Sequence, residues 1–181
     1  MMRTELIRDP LHPLYDTAMS LYRASFPFHE QREGASQAAI LRDPAYQFRL
    51  VFEETPQGEA LAGIALLWET GGFVYVEHLA VQPLMRGRGT GARILGALAA
   101  GQKPVILEID PPVDEISRRR KAFYERCGFT ANAFAHVHPP YHRGLEGHAL
   151  VVMSAPGALT EAQYADFGAF LRMRVMAGAF A

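Results

Sequence analysis

Residues 86–91 read Arg-Gly-Arg-Gly-Thr-Gly and follow a strand-like run at 74–82 that is broken at Pro83. Glycine at 87, 89 and 91 removes the side chains that hold a ligand away from the backbone, so successive N–H groups can converge on one anion. A helix predicted over 90–100 adds its unpaired N-terminal donors and the positive end of its dipole. Arg86 and Arg88 bring formal charge to the same place. This stretch is suited to cradling a phosphate or pyrophosphate.

Groups able to move protons flank it. On the preceding strand, alternation places Tyr75, Glu77, Leu79 and Val81 on one face and Val74, Val76, His78 and Ala80 on the other, unless a bulge shifts the pattern. Glu108 falls on the next predicted strand, and Tyr124 near the end of a helix. A carboxylate or imidazole that takes a proton and a phenol that gives one would suit acyl transfer to an amine. His136-x-His138 and His142 raise the idea of a metal site. No cysteine or acidic ligand completes a zinc-like spacing, so no metal is expected, and Pro139-Pro140 instead shapes a loop that projects Tyr141 over the cleft.

Gly87-x-Gly89-x-x-Ala92, with Glu108 and Asp110 about twenty residues on, also fits a relaxed dinucleotide fingerprint. Against a nicotinamide ligand, Pro83 and Arg86 intervene between strand and glycines, and the strands upstream are joined by tight hairpins rather than crossover helices.

The elements that must position these groups are legible from periodicity and punctuation. Apolar residues from Leu11 to Phe26 recur at helical spacing, and a shorter helix spans 34–42. Runs at 46–53, 61–69 and 73–82, with turns at 55–58 and at Gly71-Gly72, form an antiparallel meander. After the glycine turn and its helix come a strand at 104–110 and a helix at 114–127, capped by Asp114 and stopped by Gly128. Strands at 129–135 and 148–154 follow. Thr160-Glu161-Ala162-Gln163 then opens a last helix striped by Tyr164, Phe167, Leu171 and Val175, which docks on the domain or on a partner.

The 181 residues suffice for one domain, and 49% hydrophobic with 20% charged residues is ordinary globular composition. No apolar run is long enough to span a bilayer, so no membrane role is expected. A formal net charge of -1 gives no electrostatic case for nucleic acid. A single cysteine, Cys127, and an N-terminus without a signal-peptide core point to a cytoplasmic location.

Two stretches carry a resemblance. Arg-x-x-Gly-x-Gly across 86–91, and Tyr-x-x-x-Gly-Phe within Ala122-Phe123-Tyr124-Glu125-Arg126-Cys127-Gly128-Phe129, resemble the signatures of the GCN5-related N-acetyltransferase (GNAT) superfamily. The order of elements over residues 3–154 is similar to that fold. The resemblance implies an α/β fold with a mixed sheet of about seven strands splayed near its centre and helices on both faces. An acetyltransferase domain at 1–155 would carry a C-terminal helical extension at 156–181. Acetyl-CoA would be the acyl donor, with Leu79, Ala80 and Val81 holding its pantetheine and Arg86, Gly87, Arg88, Gly89, Thr90 and Gly91 its pyrophosphate. Ser117 stands where many relatives carry an asparagine that contacts the cofactor. Tyr124 matches the family's general acid, and Glu77 falls where members carry the base, with His78 and Glu108 as alternatives; burial should raise the Glu77 pKa toward the working range. Phe26, Glu30, Arg32, Glu108 and Tyr141 would wall the acceptor pocket for a primary amine of a small molecule or peptide, in a monomer or a homodimer. A non-catalytic acyl-CoA-binding module on the same fold is the alternative.

Overall fold

The computed structural model describes residues 2–179. Eight strands form one mixed, mostly antiparallel sheet: β1 (Met2–Ile7), β2 (Tyr46–Thr55), β3 (Gly58–Glu69), β4 (Val74–Val81), β5 (Val105–Ile109), β6 (Thr130–Ala131), β7 (His136–His138) and β8 (His148–Ala155). Their order is β1-β2-β3-β4-β5-β8-β6, with β7 also on β8. The single parallel pairing is β4 with β5, because the helix after the glycine turn carries the chain back across the sheet.

Helices cover both faces. On one lie α1 (Tyr15–Ser25), α2 (Gly34–Ile40) and α5 (Glu161–Phe170), with Met19, Tyr22, Leu41, Phe167 and Leu171 packed on Phe48, Ile64, Trp68 and Tyr75. On the other lie α3 (Thr90–Ala99) and α4 (Glu115–Arg126), where Ile94, Leu95, Phe123 and Tyr124 meet Leu67, Val76, Val105 and Leu107. The strands between are buried on both faces and therefore read as continuous apolar runs. After α5 one wider helical turn, Leu171–Val175, brings Leu171 and Val175 fully into the core.

The expected strand at 129–135 shrinks to β6 (Thr130–Ala131), and a second short strand, β7, begins only at His136. After β6 the Asn132 amide still donates to the Val152 carbonyl at 2.9 Å, and its side chain adds further bonds: Nδ2 donates to the same carbonyl at 3.1 Å and to Ser154 Oγ at 3.0 Å, while Oδ1 accepts from Leu159 N at 2.7 Å. The first helix begins at Tyr15 rather than Leu11, after a turn in which Asp9 Oδ1 accepts from Leu11 N and His12 Nδ1 from Leu14 N.

Candidate active site

β4 and β5 pair only from Val74 to Val76 and from Val105 to Leu107, after which β5 continues on β8 and β4 on β3. The two strands splay, and beyond Val76 one edge of β4 faces a cavity of about 740 Å³. The cavity joins the two faces of the sheet. Leu79, Val81, Arg86 and Tyr124 line it toward α3 and α4, and Phe26, Glu30, His78, Ala80, Glu108 and Tyr141 toward α1.

A β-bulge sits at the splay. The register passes from Leu66 opposite His78 to Leu67 opposite Val76, leaving Glu77 as the extra residue. The bulge corrects the face assignment that strict alternation gave. Tyr75, Glu77, His78 and Ala80 turn toward α1, and Val74, Val76, Leu79 and Val81 toward α3 and α4. Tyr75 and Ala80 accordingly belong to the α1-side core, while Val76 and Leu79 pack with the other.

Glu77 is the most heavily bonded of these residues. Arg32 Nη2 donates to its Oε1 at 2.9 Å, Tyr141 Oη to the same oxygen at 2.9 Å, and Trp68 Nε1 to Oε2 at 2.6 Å. Burial drives its carboxyl upward, as expected, but the charge of Arg32, then His78, and the bonds from Trp68 and Arg32 outweigh it and take the pKa down to about 2. The expected rise is thus reversed. Arg32 does not line the cavity; its guanidinium is buried against Glu77, Ser36 Oγ and the Val175 carbonyl.

Around that anion stand three further titratable groups. His78 Nε2 donates to the Glu30 carbonyl at 2.9 Å, its ring lies edge-on to Tyr22 and Phe26, and burial pushes its pKa down. Glu30 is pushed upward by burial and by nearby Asp110. Glu108 is fully buried; burial raises its pKa, but His138, the bonded His136 and the Tyr75 hydroxyl bring it below the usual carboxylate range. His138 also lines the cavity. The sequence reading weighed it only as a metal ligand, although the x-spacing of His136 and His138 already places both on one face of a strand.

The glycine turn that follows Arg86, a residue lining the cavity, has the features of an anion site. Gly87 and Gly89 take φ of +74° and +77°, the left-handed region open to glycine. The amides of Gly87, Arg88 and Gly89 make no backbone hydrogen bond of normal geometry among the described residues. Arg86 and Arg88 form no ion pair among the described residues, and Arg86 Nε is anchored on the Val81 carbonyl at 3.1 Å. Thr90 is turned inward, its hydroxyl donating to Glu53 Oε2 at 3.1 Å. Gly91 also faces inward, where a Cβ would meet Phe123 and Val81 at ordinary contact distances.

Tyr124 lines the cavity; its hydroxyl has no hydrogen-bond partner among the described residues, and burial raises its pKa, keeping the proton on. Its ring is held edge-on by Phe123 and Phe129. Ser117 stands apart. It is the third residue of α4, and its hydroxyl is engaged with Asp114 in a capping box rather than lining the cavity. Arg119, Arg120 and Lys121 are paired with Glu115, Asp110 and Glu125.

Residues 45–131 match the family model described as the acetyltransferase (GNAT) domain. The protein YjbC of Bacillus subtilis strain 168, provisionally named an acetyltransferase, is 29% identical over 107 residues. That alignment covers 58% of this chain and 52% of the relative, so it spans about half the relative's length. A solved structure from Bacteroides thetaiotaomicron, provisionally described as a GNAT-family acetyltransferase, superposes with a TM-score of 0.83 at 26% identity over 99% of both chains. An acetyltransferase of B. subtilis solved in complex with CoA shares the fold, with a TM-score of 0.55 at 15% identity over 85% of this chain and 97% of that one. The splayed sheet, the glycine turn at the head of α3 and these likenesses agree: the chain has the fold of the GNAT-family acetyltransferases, and its residues 45–131 are similar to that family's domain.

Proposed function

We propose that this protein moves an acetyl group from acetyl-CoA to a primary amine of a small molecule or peptide by direct attack. The observation that carries the reading is one cavity lined by a partnerless strand edge, by Tyr124, whose hydroxyl has no partner among the described residues, and by Arg86, the first residue of the glycine turn. The loop amides with Arg86 and Arg88 suit a pyrophosphate. Backbone groups of Leu79 to Val81 on the free edge suit the amide groups of pantetheine. A structural neighbour was solved with CoA, which accords with this reading. Tyr124 then gives its proton to the departing thiolate. Glu77 would serve as the wall that orders Tyr141 and the acceptor side, since a carboxylate at about 2 holds protons too weakly for a base near neutrality. The reading includes a cytoplasmic protein acting as a monomer or homodimer; no helix among the described residues is long and apolar enough to cross a membrane.

The same pairing of Glu77 with Arg32 favours one rival, a CoA-binding module without turnover, because the base expected from the sequence is neutralised. Calorimetry with acetyl-CoA, CoA and NAD, followed by CoA release in the presence of a panel of primary amines, separates the readings. Binding of the first two ligands with amine-dependent release is expected. Binding without release from any amine establishes the module, and a preference for NAD overturns both.

A further inference from the structure

We propose that His138 is the residue that takes the proton from the acceptor amine, with Glu108 holding the imidazolium that results. The inference rests on the acetyltransferase reading and names the base of that same site.

β7 alternates His136 and His138 inward with Val137 outward, and it pairs with β8, the strand that also pairs with β5. There Glu108 directly follows Leu107, the last residue of β5 paired to β4, so the carboxylate lies at the apex of the splay. His138 Nδ1 is 2.6 Å from the Pro139 carbonyl oxygen. A carbonyl can only accept, so Nδ1 carries the hydrogen and Nε2 the lone pair of the neutral ring. Nε2 is buried without a partner and lies 4.0 Å from Glu108 Oε2, too far for a hydrogen bond.

Both residues line the cavity, and two acceptors stand 4.0 Å apart there: His138 Nε2 has no donor, and Glu108 Oε2, which accepts from the Tyr75 hydroxyl, keeps a further lone pair. A primary ammonium is the ligand class that satisfies both. The groups facing His138 favour the same direction of transfer: Glu108 from β5, its partners Tyr75 and His136, and the Tyr141 ring at 4.9 Å. His78 also has an unpartnered nitrogen, Nδ1. A proton there would lie among Tyr22 and Phe26, beside a Glu77 carboxylate already paired with Arg32, and burial outweighs the help from Glu77, whereas on His138 it lies against the Glu108 carboxylate.

The protons balance. His138 Nε2 removes one from the ammonium, and the freed nitrogen pair forms the bond to the acyl carbon. The carbon–sulfur bond breaks, Tyr124 protonates the thiolate, and the second N–H proton of the new amide returns to Tyr124. His138 gives its proton to solvent.

Imidazole ¹⁵N NMR tests this without turnover. Neutral His138 should appear as the Nδ1–H tautomer and protonate at Nε2, and n-butylammonium chloride should shift its resonances. Glu108→Gln should move the titration to lower pH. Because Glu108 is buried, Tyr75→Phe is measured beside it; removing a donor from the carboxylate should move the titration to higher pH. An Nε2–H tautomer, or His138 resonances indifferent to n-butylammonium, overturns the assignment. In kinetics with any amine that releases CoA, His138→Gln should lower kcat/KM by about 100-fold or more and remove the acidic limb of the pH profile, while His78→Gln keeps it. Retention of the limb by His138→Gln overturns the assignment as well. Absence of release from wild-type protein with every amine counts against the acetyltransferase reading, and the NMR result then decides the His138–Glu108 pair alone.

Discussion

Glu77 and Tyr124 line the same cavity with opposite chemistry, one bonded on every side and one free. Glu77→Gln leaves the Arg32 charge buried without its counter-ion, which costs about 3–5 kcal/mol. Calorimetric unfolding should show Tm falling on the order of 10 °C. A variant that melts with the wild type would mean that the pair contributes nothing. Tyr124→Phe removes a proton donor and little else, so kcat should fall by about ten- to a thousand-fold with CoA affinity unchanged by calorimetry. The sequence made both residues visible as candidates. It could not show that Glu77 is neutralised, because its partner lies 45 residues away in a loop between two helices.

The glycine turn and the bulged strand are the elements that make the site, and they differ in what can be read from residues alone. In the turn, chemistry follows directly from residue type. Gly89 needs positive φ, and an alanine there costs roughly 1–2 kcal/mol in a left-handed conformation while its Cβ comes to 3.3 Å from Arg93 Nη1. Gly89→Ala should therefore weaken CoA binding by about tenfold in calorimetry. Gly91→Ala, whose Cβ would find ordinary contacts at 3.4 and 3.8 Å, should bind within about twofold of wild type. Equal losses would show that the loop's conformation is not what CoA reads. The bulge, by contrast, is a matter of register between β3 and β4, set by what both strands bury, and no local pattern in residues 74–81 announces it. The division of 129–138 into two strands was hidden for a similar reason, since Asn132 finds its partners on β8 and before α5.

Across the whole molecule, buried ionisable groups should set the response to acid. Burial holds His78 below its unfolded value of about 6.5, so its contribution to stability is full above that pH and is lost as pH falls through the folded value. Glu77, at about 2 in the fold and about 4.3 unfolded, contributes above about 4.3 and loses its share toward pH 2; Glu108 acts in the same sense. Tm should therefore decline in two stages on acidification, and His78→Gln should flatten the first. A wild-type Tm that is flat from pH 7 to 5 would contradict the His78 direction. At this scale the order of helices and strands was legible from periodicity, and so was the apolar stripe of Phe167, Leu171 and Val175. Their destination in the core beside Tyr75 was not, since helical spacing reports a face but not its partner.

Arg32 holds two acceptors with one nitrogen: Nη2 donates to Glu77 at 2.9 Å and to the carbonyl of Val175 at 2.7 Å. Through Tyr141, which donates to the same oxygen of Glu77, the wall of the cavity and the last helical turn share one guanidinium. Whatever stiffens Tyr141 against Glu77 steadies the turn, and by reciprocity whatever loosens the turn weakens the hold on a ligand that touches Tyr141. The C-terminal turn is thus an occupancy gauge for the cavity, to be read as slower amide hydrogen exchange at Val175 and Met176 when an amine is bound.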